Sequence, residues 1–125
     1  MGLLSGILGN ASKVDTAELQ EELGPLLIDG EDVVTAFKVV RDLIVFTNLR
    51  VIFIDKQGIT GRKVDYMTVP YGSIVQFSKE GRGVFDLDAE LKIWIRGQAE
   101  PIEKKFRKDE GVNEAYRVLS QAVLT

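Results

Sequence analysis

The run Asp86–Arg96 (DLDAELKIWIR) constrains this chain more than any other stretch. Leu87, Ala89, Leu91, Ile93 and Ile95 fall on one parity; Asp86, Asp88, Glu90, Lys92, Trp94 and Arg96 fall on the other. A strand turns successive side chains to opposite faces, so strict alternation places one face in a core and the other outside it. The rest of the chain must supply that core.

Much of the rest reads as β as well. Residues 33–41 (VVTAFKVVR) are rich in branched and aromatic side chains; Asp42 interrupts, and Leu43–Thr47 (LIVFT) continues. Asn48-Leu49 reads as a tight turn into Val51–Asp55 (VIFID), and Gln57-Gly58 with Thr60-Gly61 marks a further bend. Lys63–Val69, closed by Pro70, and Ser73–Lys79 are further strands, with a turn cluster at Glu80-Gly81-Arg82-Gly83. Gly97-Gln98 turns the chain again, and Ile102, Lys104 and Phe106 alternate in a last strand.

Helical spacing is confined to the two ends. Leu3, Leu4, Ile7 and Leu8 make one short apolar stripe. Asp15 reads as an N-cap with Glu18 as capping-box partner, Leu19 and Leu23 share a face, and Gly24-Pro25 ends that helix. At the other end Asp109 is the predicted N-cap of an amphipathic helix over residues 110–124, carrying Val112, Ala115, Tyr116, Leu119 and Val123 at spacings of three and four. With 125 residues, one core is the natural size. The expected organisation is a single domain, residues 1–125: a helical segment over 1–24, strands over 33–107, and the closing helix. Strands joined by short turns pair antiparallel. Seven of them curl into a barrel or two-sheet sandwich with an open end that the final helix can plug. The predicted class is mainly β (α+β).

Composition excludes several kinds of chemistry. The chain has no cysteine and no histidine, which removes disulfides, thiolate nucleophiles and the commonest base and metal ligand. Both absences fit a cytoplasmic protein. A net charge of −3 argues against nucleic acid as a partner. Residues 1–9 (MGLLSGILG) are apolar but too short to span a bilayer, lack a basic leading region, and have Gly6 where a myristoylation signal needs Ser or Thr. Asp86, Asp88 and Glu90 are not a calcium loop, because Leu91 stands where an EF-hand needs glycine. Gly81-Arg82-Gly83 and the Gly58/Gly61 pair lack the ending and setting of a phosphate loop. No nucleophile–base–orienter set is visible, so no enzyme, cofactor or metal is expected.

Certain strings carry a resemblance: Arg41-Asp42; Phe46-Thr47-Asn48 with Arg50; residues 55–61 (DKQGITG); Pro70-Tyr71; Ser73-Ile74; Phe77-Ser78; and residues 85–95 (FDLDAELKIWI). Together they resemble the bacterial pleckstrin-homology (PH) domain family, over roughly residues 15–124. The resemblance implies a PH-like barrel, a non-enzymatic role and self-association, including into ring-like assemblies. It implies no ligand. Eukaryotic relatives hold phosphoinositides in a dense basic pocket; the first strand pair here offers Lys38, Arg41 and Arg50 with Asp42 between them.

Trp94 is the first candidate site residue. It lies on the polar parity beside Lys92 and Arg96, and its ring either covers a neighbouring strand or anchors an interface. Leu43–Thr47 and Val51–Asp55 are apolar on both parities, so Ile44, Phe46, Ile52 and Ile54 belong to strands covered on both faces. The second cover is either the N-terminal helices or another subunit, and the extent of apolar surface favours some self-association. Lys104, Lys105, Arg107 and Lys108 form a basic cluster, read either as a solvated edge or as an anion or lipid site. The expected function is a self-associating interaction module, with other proteins as further partners. The alternative is a peripheral membrane or lipid-headgroup binder at the inner membrane face.

Overall fold

The computed structural model describes residues 15–39, 42–57, 63–81, 88–107 and 111–125. The apolar stripe at Leu3–Leu8 and the glycine pairs at 58/61 and 81/83 fall wholly or partly outside them. The first described helix, α1 (Thr16–Glu22), starts behind Asp15, whose carboxylate accepts from the backbone N–H groups of Ala17 (3.0 Å) and Glu18 (3.4 Å). These amides have no partner inside the helix, so the cap satisfies them. The helix stops where Gly24-Pro25 opens a short 3-10 turn, Gly24–Leu26.

Seven strands follow: β1 (Val33–Lys38), β2 (Leu43–Thr47), β3 (Arg50–Gln57), β4 (Lys63–Pro70), β5 (Ile74–Glu80), β6 (Ala89–Ile95) and β7 (Ile102–Phe106). They form two antiparallel sheets, β1-β2-β3-β4 and β5-β6-β7, and α2 (Val112–Leu124) closes the chain. This is the expected PH-like architecture as a two-sheet sandwich whose hydrogen-bonded ladder does not close into a barrel.

Some boundaries move. The first strand ends at Lys38 instead of Arg41, because the chain turns there: the Val39 N–H donates to the Asp42 carbonyl at 2.9 Å. Ser73 belongs to a 3-10 turn, Tyr71–Ser73, and not to β5. The final helix is entered through Gly111 at φ +82°, a left-handed conformation that glycine adopts without steric cost. The predicted cap Asp109 lies outside the described residues, and the first helical bond runs from the Ala115 N–H to the Gly111 carbonyl.

The predicted alternation holds from Ala89 to Trp94; Asp86 and Leu87 lie outside the described residues, and Ile95 is only partly buried. Ala89, Leu91 and Ile93 are buried, while Glu90, Lys92 and Trp94 are only partly so. The buried set meets Phe37, Ile44, Phe46, Val51 and Phe53 of the first sheet, Phe106 of β7, and Val112, Ala115 and Leu119 of α2. Phe37 sits between Phe46 (6.1 Å between centroids) and Phe106 (5.9 Å), in the edge-on and tilted geometries aromatic rings prefer.

A second core lies on the outer face of the first sheet. Leu19 and Leu23 pack over Ala36, Leu43, Val45, Ile52 and Ile54. The segment after α1 is fastened by a buried carboxylate. Glu31 accepts from Arg50 Nε (2.7 Å) and Nη2 (2.8 Å), from Thr47 Oγ1 (2.7 Å) and from the Ile28 N–H (3.1 Å). Arg50 also donates to the Leu26 carbonyl, and Tyr71 donates to the Thr47 carbonyl at 2.6 Å.

Candidate functional site

Each sequence-predicted site residue among those described has a definite place. Ile44 and Phe46 point into the central core, and Ile52 and Ile54 lie beneath α1. The chain's own helix is therefore the second cover of these strands, and the four side chains present no surface to a partner. The reason is in α1: Leu19 and Leu23 stand one turn apart, matching a sheet face of four branched side chains.

The basic cluster divides along its strand. Ile102, Lys104 and Phe106 share the parity opposite Ile93, Leu91 and Ala89, so Lys104 starts from the core side. Its ammonium meets the Asp42 carboxylate at 2.6 Å and lies 5.4 Å from the centre of the Phe53 ring, with side chains only 18% (Lys104) and 14% (Asp42) exposed. Lys104 thus joins the β1–β2 turn to the second sheet and is not a free cation. Lys105 and Arg107 are exposed; Lys108 lies outside the described residues.

Trp94 lies on the outer face of the second sheet, opposite Gln76 and half-buried. Below it, Lys92 is flanked by Ser78 and Glu103, and Glu90 by Glu80 and Lys105. Burial raises the pKa of Glu90, and the like charge of Glu103 adds to the effect. The Lys92–Glu80 pair at 3.9 Å is largely exposed and contributes little. Arg96 is committed to the corner after β6, where its guanidinium donates to the Gly72 carbonyl at 2.9 Å. Among the described residues no group of acidic side chains is arranged to hold a metal ion, and no helix is long and apolar enough to cross a membrane.

The feature that the alternation did not reveal is the set of four sheet edges, β1 and β4 of the first sheet and β5 and β7 of the second. β4 ends one sheet and β5 ends the other, so each has one side without a strand partner. β4 is exposed on both of its faces over most of its length, with Tyr66 at 42% and Met67 at 40%. On β5, Val75 is 53% exposed and Phe77 rests against Tyr116 of α2, ring centres 5.3 Å apart. An uncovered strand edge is a row of backbone donors and acceptors that can take another strand. Pro70 was a signal for it, since proline is tolerated mainly at sheet edges.

Comparison with known proteins agrees with this architecture. The family model described as "Bacterial PH domain" matches residues 2–123. The chain is 54% identical over 121 residues to the uncharacterized protein YjqA of Bacillus subtilis, covering 96% of this chain and 97% of that one. Among solved structures it is similar to a DUF1696 family protein with a pleckstrin-homology domain from Shewanella loihica PV-4, with TM-score 0.82 and 46% identity over 91% of this chain and 97% of that one. It is also similar to a pleckstrin homology domain from Shewanella amazonensis SB2B, with TM-score 0.80 and 47% identity over 89% of this chain and all of that one (100%).

Proposed function

The chain belongs to the bacterial PH domain family, and from that premise we propose that it is a non-enzymatic interaction module that self-associates into a homo-oligomer. The observation that carries this reading is the exposure of two unlike end strands, β4 and β5, which together with β1 and β7 terminate the two sheets. The flat apolar faces are already occupied within the chain, so the edges are where backbone hydrogen-bonding capacity remains. Two different edges that meet head to tail leave one of each kind free at the ends. Such contacts close into a ring when the rotation per subunit allows it. Trp94 flanks Gln76 of the β5 edge, on the face that a neighbouring strand would extend.

Solution mass tests the reading. Light scattering at tens of micromolar should give a multiple of the 13.9 kDa chain mass. A strict monomer across that range would remove self-association. Liposome co-sedimentation supplies the contrast: salt-sensitive binding to anionic vesicles by a monomer would favour a membrane-surface role.

A further inference from the structure

We propose that the exposed apolar end formed by Leu26, Ile28, Val34 and Leu49 docks an amphipathic helix of another protein, one whose apolar side is flanked by Lys and Arg. The inference does not rest on self-association; it concerns a separate surface and a different partner.

Local structure builds this surface. Leu27 is extended and packs against the second core. Successive side chains of extended backbone point to opposite sides, so its neighbours Leu26 and Ile28 turn outward, Ile28 to 63% exposure. Hydrogen bonds bring the β2–β3 turn alongside. The Asn48 side-chain amide donates to the Gly30 carbonyl at 3.0 Å, and its oxygen accepts from the Asp32 N–H at 2.8 Å. Leu49 is the next residue of that turn and is exposed. Val34 lies at the same end of the sheet, because Val33 stands opposite Thr47, and it too is exposed. Four of the eight large apolar side chains exposed among the described residues therefore gather at one end. Scattered singly they would need no explanation; gathered, they mark an interaction site. The bonds from Arg50 and Thr47 to Glu31 fix the segment in place, so a partner meets a preformed surface and little ordering cost.

Charge and backbone bonding select the partner. The sequence has no Lys or Arg between Lys13 and Lys38. Asp29 and Asp32 are exposed within the same segment, as are Glu18 and Glu21 on α1. Arg50, the base of the β2–β3 turn, is committed to Glu31. An apolar surface with an acidic rim attracts a basic partner and repels an anionic one. The backbone here is already occupied: the Glu31 N–H donates to the Ile28 carbonyl at 3.0 Å and the Asn48 N–H to the Asp32 carbonyl at 3.1 Å. The β1–β2 register also shifts between Val33 and Thr35, which interrupts the β1 edge beside the patch. Side chains are what remains to be recognised, and a helix presents apolar anchors one turn apart to such a surface. The basic cluster of a second copy is a poor match, since Lys105 and Arg107 have no exposed large apolar side chain on their strand.

A labelled synthetic helix of Leu and Lys at helical spacing, with a twin carrying Glu in place of Lys, tests the proposal by fluorescence anisotropy. The basic peptide should bind and the acidic twin should not. Ile28→Ser with Leu49→Ser should weaken binding by about tenfold or more. Asp29→Lys should weaken it by a similar factor, whereas Glu100→Lys, in the β6–β7 loop, should leave it unchanged. All four positions are exposed, and circular dichroism checks that each variant keeps the fold. No binding, equal binding of both peptides, or binding indifferent to the patch variants would overturn the proposal. A change in solution mass of the Ile28→Ser, Leu49→Ser protein would assign the surface to a second copy instead. Binding to anionic vesicles that this variant abolishes would assign it to a membrane; either result overturns a basic protein partner.

Discussion

Replacing Glu31 by Gln tests the structure at its most heavily bonded polar group. The Glu31 side chain is 0% exposed; three of its four hydrogen bonds, from Thr47 and Arg50, fasten the segment after α1 to the β2–β3 turn, and the fourth, from the Ile28 N–H, lies within that segment. The Arg50 guanidinium, followed by the Thr47 hydroxyl and the Ile28 amide, holds its pKa down at about 2 from an ordinary 4.5, against the opposing effect of burial. A drop of that size corresponds to about 3 kcal/mol of folding stability at neutral pH. The sign follows from the depressed pKa. The contribution is complete above the unfolded-state value and is lost as pH falls from about 5 to about 2. Arg50 keeps 20% of its side chain exposed and can recruit water once its partner is neutral, which lowers the cost. Glu31→Gln should therefore lose about 2–3 kcal/mol at pH 7, or roughly 10 °C of melting temperature for a domain of this size. It should also flatten the acid limb of the stability curve. Urea denaturation at pH 7, 4 and 3 measures both effects. A variant within about 0.5 kcal/mol of wild type at pH 7, with the same acid slope, would refute the reasoning, because surface substitutions behave that way.

Other substitutions probe other parts of the fold. Leu19→Ala removes the centre of the second core and should cost about 2–5 kcal/mol by chemical denaturation; a negligible loss would mean that α1 does not cover the sheet. The buried Thr35 hydroxyl has no hydrogen-bond partner, so Thr35→Val should stabilise by about 1 kcal/mol. A measured loss there would instead indicate a bound water. Lys104→Met leaves the Asp42 carboxylate, largely buried, without its cation and should cost about 1–3 kcal/mol. An unchanged denaturation midpoint would mean that this pair contributes nothing to joining the two sheets.

The reach of the sequence follows from what hydrophobic pattern records. LIVFT and VIFID announced strands covered on both faces, and they are. The identity of the second cover was not legible, because it depends on which sheet Leu19 and Leu23 meet, and periodicity carries no tertiary address. Glu31 was missed for a related reason. In the local string IDGED it reads as a turn acid, and its burial comes from an arginine nineteen positions later. The edges of β4 and β5 were invisible in another way. Alternation reports which faces are buried, whereas an edge is defined by missing backbone partners, and only topology decides that.

Lys104 shows how far alternation could have gone. Counted as charge, Lys104, Lys105, Arg107 and Lys108 make one basic cluster. Placed on a strand, Lys104 shares the parity of Ile102 and Phe106, and Lys105 shares that of Glu103. A lysine on the core side needs a carboxylate near the end of its stem, and Asp42 supplies it. The same parity that identifies β6 therefore divides the cluster from residue order alone, with Lys105 and Arg107 its exposed members among the described residues. Lys104 is committed to Asp42, so among the described residues Lys105 and Arg107 are what this cluster offers to an anion. The end strands β4 and β5 keep backbone donors and acceptors without a strand partner on one side.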